Sequence, residues 1–185
     1  IGVLVTLVQT GVFYILATTC LKCLAADDVA VKCLGFAAAD GLIRAKGLHH
    51  VTFRGITFEF SRGDALQFVA CSNCSVVASV VRHTSAGAIK MLDGSGNRVA
   101  GCDLWDLGKG GVVLEGGDRE TLVRGENVAE NNHIGHYGKV IYNYLPGISL
   151  RGVGNRAEHN LVHHSRHQGI FFNGNDHYIG WNIVH

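Results

Sequence analysis

Short apolar segments return along this chain at a nearly fixed interval, and that interval leaves little choice of fold. Each segment is an apolar residue, two polar or small residues, a small or amide residue, one more, and a second apolar residue. The pattern reads Phe53 to Phe58, Val76 to Val81, Val99 to Leu104, Ala129 to Ile134, Ala157 to Val162 and Ile179 to Val184, with steps of 23, 23, 30, 28 and 22 residues between starts. A second alternating segment appears at Leu66–Phe68, Ile89–Met91, Val112–Leu114, Ile148–Leu150 and Ile170–Phe172, 8 residues after the first segment ends in four coils and 14 in the other. Strands this short at a period near 23 residues leave no room for helices, and the Leu/Asn spacing of a leucine-rich repeat is absent. The expected fold is all-β: a right-handed parallel β-helix solenoid of about five to six coils.

The coils are expected over residues 46–185, preceded by a hairpin leading into the stack over residues 1–45. Residues 1–21 carry no charge, but Gln9-Thr10-Gly11 interrupts them with a turn signal between β-branched runs, so a hairpin and no membrane span is expected. The chain closes at His185 on an apolar alternation without a polar cap, so the stack is expected to be truncated at its C-terminal end. Hydrophobic residues at 47% and charged residues at 17% supply a large core and exclude a disordered chain. A net charge of +1 offers no basic footprint for nucleic acid. The pairs Cys20-x-x-Cys23 and Cys71-x-x-Cys74 lie too far apart for a compact zinc ribbon, and ordinary buried thiols are expected, with no metal or cofactor.

Stacking turns linear spacing into columns about 4.8 Å apart. Ile56, Ser79, Cys102, Asn132, Asn160 and Asn182 share one column, and its asparagines are expected to form an internal amide ladder at a bend. Two coils are enlarged, by Glu115–Asn127 and Gly135–Pro146. The second insertion holds His136, Tyr137, Tyr142 and Tyr144, aromatic and imidazole groups that suit sugar rings or merely cover the stack. His136, His163, His164 and His167 gather on the later coils as candidates for binding hydroxyls, shuttling protons or holding a metal, although ligand spacing is met only loosely by His163 and His167. A further column reads Asp118, Gly154, Asp176, followed by Arg119, Asn155, His177. Its carboxylates would lie two coils or about 10 Å apart, slightly beyond the ~6.5–9.5 Å of an inverting glycosidase pair. Both aspartates stand beside glycines, where capping a turn is the competing role.

The stretches Gly152-Val153-Gly154-Asn155-Arg156, His159-Asn160-Leu161-Val162-His163 and Gly174-Asn175-Asp176-His177 resemble bacterial right-handed β-helix proteins similar to glycoside hydrolase family 141. Thr10–Tyr14, His50–Gly55 and Gly116-Gly117-Asp118-Arg119 extend the resemblance over roughly residues 10–185, while residues 17–40 match poorly. The resemblance implies a secreted or periplasmic enzyme that hydrolyses plant cell-wall polysaccharide or oligosaccharide through paired carboxylates. It also implies an acidic Asp-Ala-Gly-Ala stretch one coil past His185, above His167. On this reading Asp176, Asp118 and His167 are the candidate catalytic residues. His136, Tyr137, His163, His164, His177, Tyr142 and Tyr144 are the candidate substrate-binding residues. A polysaccharide lyase or epimerase on the same fold is the alternative, with Lys90 and Arg151 on outward positions. A non-catalytic glycan-binding or structural β-helix is the third.

Overall fold

The computed structural model describes residues 40–185. The expected hairpin, apart from its last residues, and Cys20, Cys23 and Cys33 lie outside the described residues. The chain winds through β1 (Ile43–Lys46), β2 (Thr52–Arg54) and β3 (Thr57–Glu59), then β4 (Leu66–Val69), β5 (Ser75–Val77) and β6 (Val80–Thr84). The third coil is β7 (Ile89–Leu92), β8 (Arg98–Ala100) and β9 (Asp103–Leu107). The fourth is β10 (Val112–Asp118), a short β11 (Val123–Arg124), β12 (Val128–Glu130) and β13 (His133–Gly135). The last two are β14 (Ile148–Val153), β15 (Arg156–Glu158) and β16 (Leu161–His163), then β17 (Ile170–Asn175), β18 (Tyr178–Gly180) and β19 (Ile183–Val184).

Corresponding strands pair in parallel, forming a first sheet β1-β4-β7-β10-β14-β17, a second β2-β5-β8-β12-β15-β18 and a third β3-β6-β9-β13-β16-β19. This is a right-handed parallel β-helix, with six coils among the described residues. Its first strand, Ile43–Lys46, already pairs with β4 and so lies just before the expected start of the stack at residue 46. The repeating segment that reads as one strand is two, divided by a sharp bend. At that bend Gly55, Ala78, Gly101, Asn131, His159 and Trp181 all have left-handed backbone, φ 47° to 66°.

Two more left-handed columns turn the other corners: His50, Asn73, Gly96, Glu126, Gly154 and Asp176, and Phe60, His83, Asp106, His136 and His164. A left-handed residue with a Cβ costs about 1–2 kcal/mol, and Asn, Asp and His tolerate it best. Five of the 11 histidines, His50, His83, His136, His159 and His164, stand at such corners. Much of the chain's histidine is therefore corner chemistry.

The core is built of inward columns. Leu66, Ile89, Val112 and Ile148 stack in the first sheet, Val76, Val99, Ala129 and Ala157 in the second, and Val81, Leu104, Ile134 and Val162 in the third; all are fully buried. Such burial contributes about 1.5–3 kcal/mol per large side chain. In the last coil Ile179 and Val184 of the second and third columns are exposed, as is Phe172, which continues the Phe68, Met91, Leu114, Leu150 column of the first sheet. Cys71, Cys74 and Cys102 are buried free thiols, as expected, and burial pushes the thiols of Cys74 and Cys102 up.

The expected amide ladder is present. Asn160 Oδ1 accepts from the N–H and Nδ2 of Asn132, both at 3.0 Å. Its Nδ2 donates to Asn182 Oδ1 and to the Ala129 carbonyl, both at 2.9 Å. A second ladder, Asn97, Asn127 and Asn155, runs at the neighbouring corner with the same 30- and 28-residue steps. Each asparagine satisfies its own amide and the backbone of the coil beside it, so neither ladder leaves a buried donor orphaned.

Asn160→Ala removes four hydrogen bonds from a side chain that is 1% exposed. It is expected to lower stability by about 2–4 kcal/mol, because Asn132 and Ala129 are left with unpaired buried groups. Asn143→Ala on the exposed insertion is expected to stay within about 0.5 kcal/mol. Urea denaturation of both variants checks the contrast.

Candidate functional site

Both enlarged coils border the outer face of the first sheet, from opposite sides. The first insertion leaves from the end of β10 and returns through β11, where Gly117 and Asp118 pair with Arg124 and Val123 in antiparallel register. The second ends at Pro146, just before β14. Its start is tied back to the coil beneath by the N–H groups of Gly138, Lys139 and Val140, donated to the carbonyls of Lys109, Leu107 and Gly108. Lys139 also pairs with Asp106. The sheet face between the two insertions becomes a groove.

Two depressions lie along that groove. The larger, about 670 Å³, is bounded by Asp93, Arg119, Val123 and Arg124. The smaller, about 250 Å³, is bounded by Asp64, Lys90, Lys109, Tyr144 and Ser149. Glu115 and Arg151 line both and so mark the centre of the floor. They are register partners on β10 and β14, with guanidinium and carboxylate 3.7 Å apart. Asp64 accepts from the Gly87 N–H at 2.9 Å and pairs with Lys90 Nζ at 2.7 Å. Ser149 is 1% exposed, and its hydroxyl has no hydrogen-bond partner. A buried hydroxyl without a partner costs about 1–3 kcal/mol. Close packing of backbone against backbone keeps one edge of the floor flat: a Cβ at Gly152 would lie 2.2 Å from the Gly116 carbonyl oxygen, and one at Gly174 1.9 Å from that of Gly152.

The residues singled out in the sequence fall in different places. Asp118 is fully exposed at the tip of the β10–β11 hairpin and accepts from the Glu120 N–H at 2.9 Å and the Thr121 hydroxyl at 2.7 Å. Those bonds, the Thr121 hydroxyl first, hold its carboxyl below the usual range, the environment of a turn cap and not of a general acid. The coil register continues past the hairpin, so the residue stacked two coils from Asp176 is Glu126, not Asp118. Asp176 itself is an exposed left-handed corner. His177 turns toward the second ladder: its Nδ1 accepts from the Asn155 N–H at 3.2 Å, and its Nε2 faces the Asn173 carbonyl at 3.3 Å. Tyr137 is 3% exposed and donates its hydroxyl to the Gln168 carbonyl at 2.7 Å, pinning the second insertion to the next coil. Tyr142 lies under the Arg166 guanidinium at 4.3 Å. Tyr144 and His167 are both exposed, with rings 5.1 Å apart, and Tyr144 alone of the three tyrosines reaches the groove.

His136, His163 and His164 do come together, on the third sheet and its corner, with His133 and His185 joining them. The ring of His163 lies nearly parallel to those of His133 and His185, with centroids 4.9 and 5.3 Å away, and meets His133 edge to edge. His136 and His164 approach to 4.7 Å. Gly135 makes this possible. It is the register partner of His163, and a Cβ there would lie 2.7 Å from the His163 ring. The ring fills the missing side chain's space and leans to within 2.6 Å of His133. Spacing alone places His133 in line with Leu161 and hides this contact.

A family model described as a right-handed beta helix region matches residues 35–184. No curated protein and no solved structure gives a match.

Burial, then the neighbouring imidazoles of His133, His164, His185 and His136, push the His163 pKa down. Asp103, beside His133, is the carboxylate facing the group. A folded pKa below the unfolded value of about 6.5 means that protonation favours the unfolded chain. This contribution is complete above pH ~6.5 and is lost as pH falls below it through the folded value. The urea midpoint is expected to drop as pH falls below about 6.5, and His163→Gln to make that slope shallower.

Proposed function

The chain belongs to the right-handed β-helix family, and we propose on that premise that it is a carbohydrate-active enzyme, a glycoside hydrolase that seats an extended polysaccharide in the groove over the first sheet. One observation carries the reading: both irregular coils rise beside the same sheet face, and the Glu115–Arg151 pair lies on the floor shared by both depressions. A groove that joins both depressions suits a polymer, and the exposed Tyr144 ring supplies a stacking contact that a sugar uses. Glu115 and Asp64 are the two carboxylates lining the smaller depression. Glu115, on the floor shared by both depressions, takes one of the two carboxyl roles that hydrolysis of a glycosidic bond divides between acid and base. Plant cell-wall glycan as substrate, and a secreted or periplasmic setting, follow from the resemblance to glycoside hydrolase family 141.

The charge of the groove favours a second reading. Lys90, Lys109, Arg119, Arg124 and Arg151 outnumber Asp64, Asp93 and Glu115 along it, five to three. A cationic floor neutralises a uronate carboxylate, which is what a lyase or epimerase requires.

The test incubates the protein with xylan, pectic and fucosylated polysaccharides and measures new reducing ends together with absorbance of unsaturated product. Hydrolysis yields reducing ends without ultraviolet absorbance; a lyase yields both. Glu115→Gln is expected to cut the rate by about 10²–10⁴-fold, while Asp118→Asn and Asp176→Asn leave it near wild type. Absence of any product, or full activity in Glu115→Gln, contradicts the proposal.

A further inference from the structure

All three arginines of the groove line its larger depression: Arg119 and Arg124 on the hairpin wall and Arg151 on the floor. Arg124 is held in place from two sides. Its Nε donates to the Glu126 carboxylate. Its stem crosses Gly154 of the next coil, where a Cβ would lie 2.7 Å from Arg124 Cβ and 2.8 Å from its Cγ. Asn73, Glu126 and Asp176 adopt the same left-handed backbone with a side chain, so the turn does not demand glycine at 154; the arginine stem does. With Nε engaged, the two terminal amino groups of Arg124 keep their donors, and among the described residues they meet no acceptor. Arg151 Nη1 stands 3.7 Å from Glu115 Oε2, too far for a hydrogen bond. Arg119 is exposed in the hairpin turn, with no ion pair among the described residues. Three like charges around one hollow repel one another, and Asp93 and Glu115 offset only two of them.

We propose that the larger depression is a subsite for the anionic substituent of an acidic glycan, a carboxylate or a sulfate ester, with Arg124 and Arg151 as its main donors and Arg119 beside them. The inference rests on the groove being the glycan site and adds the charge of the sugar it takes. A guanidinium matches either anion through two parallel N–H···O bonds, which a neutral sugar cannot accept in that form. The depression, about 670 Å³, has room for a sugar ring. Glu126 is a positioning residue: it fixes the Arg124 guanidinium in advance, so less side-chain freedom is lost on binding. Arg151 links the subsite to Glu115, which places the acidic sugar beside the carboxylate assigned to the chemistry. Recognition of this kind is independent of whether the glycosidic bond is hydrolysed or eliminated.

The test measures binding to the full chain by calorimetry, with product assayed in parallel, for three oligosaccharides of equal length: an oligogalacturonate, its carboxyl-reduced neutral counterpart and a sulfated galactan. At least one anionic ligand is expected to bind about tenfold or more tighter than the neutral one, the better of the two identifying the substituent, and the advantage should shrink as salt is raised. Arg124→Gln and Arg151→Gln should each remove most of that preference while leaving the neutral ligand's affinity unchanged, with circular dichroism confirming the fold. Arg62→Gln, at an exposed position outside both depressions, should bind as wild type. Equal affinity for the anionic and neutral ligands, or a full preference in Arg124→Gln, overturns the subsite and leaves hydrolysis of a neutral glycan standing. An anion preference with no product upholds the subsite and counts against the hydrolase.

Discussion

Parallel register is the constraint from which the rest of this molecule follows. Each strand residue lies over a partner one coil away, so strands of the inner coils are paired above and below, and the same position in successive coils becomes a column. Columns must be internally compatible. Inward ones are aliphatic and close-packed. Those at two corners turn a polar side chain into the core, where only a group with matched donors and acceptors survives burial. Asparagine meets that requirement because its amide both donates and accepts. The two ladders therefore hold the corners by hydrogen bonds and not by apolar packing. The early coils solve the same corners with Ile56, Ser79 and Cys102, or Cys74, which shows a column changing from apolar to thiol to amide as the neighbouring coils change.

Function enters where the register is interrupted without being lost. The hairpin at Asp118–Val123 and the loop at 136–146 both leave the stack, and the strands after them rejoin it in phase, since β14 pairs with β10 from Val112↔Ile148 to Gly116↔Gly152. Rejoining in phase keeps the floor flat while the insertions rise as walls. The same principle acts at smaller scale on the third sheet. Gly135 is an omission within a column, and His163 moves into the space. One interruption gives a groove; the other gives a contact between two imidazoles.

The sequence spacing revealed the coil period, the two enlarged coils and the ladder through Asn132, Asn160 and Asn182, because these depend only on distance along the chain. The third strand of each coil was hidden, since the left-handed residue that splits it, such as Ala78 or His159, has no mark of its own in an apolar pattern. The ladder through Asn97, Asn127 and Asn155 was legible in principle, as it repeats the same steps one corner earlier. The placement of Asp118 was not. Gly116 and Gly117 offer two points at which the chain can leave the stack, and hydrogen bonding, not spacing, settles that Asp118 belongs to the hairpin. The five histidines of the third-sheet face were found only in part, because the lean of His163 across Gly135 is a side-chain event with no signature in the coil period. Glu115 stood at the edge of an insertion, and only its register with Arg151 shows that it faces the groove.

Cross-linking across the register tests this most directly. Glu115 and Arg151 are partners on adjacent strands, and parallel neighbours about 4.8 Å apart fall within the Cα separation of about 4.4–6.8 Å that a disulfide accepts. Under mild oxidation Glu115→Cys with Arg151→Cys should form an intramolecular disulfide identified by peptide mapping, while Val113→Cys with Arg151→Cys, two residues out of register, should not. A bond in the second pair and none in the first would contradict the stacking on which the groove and its residues depend.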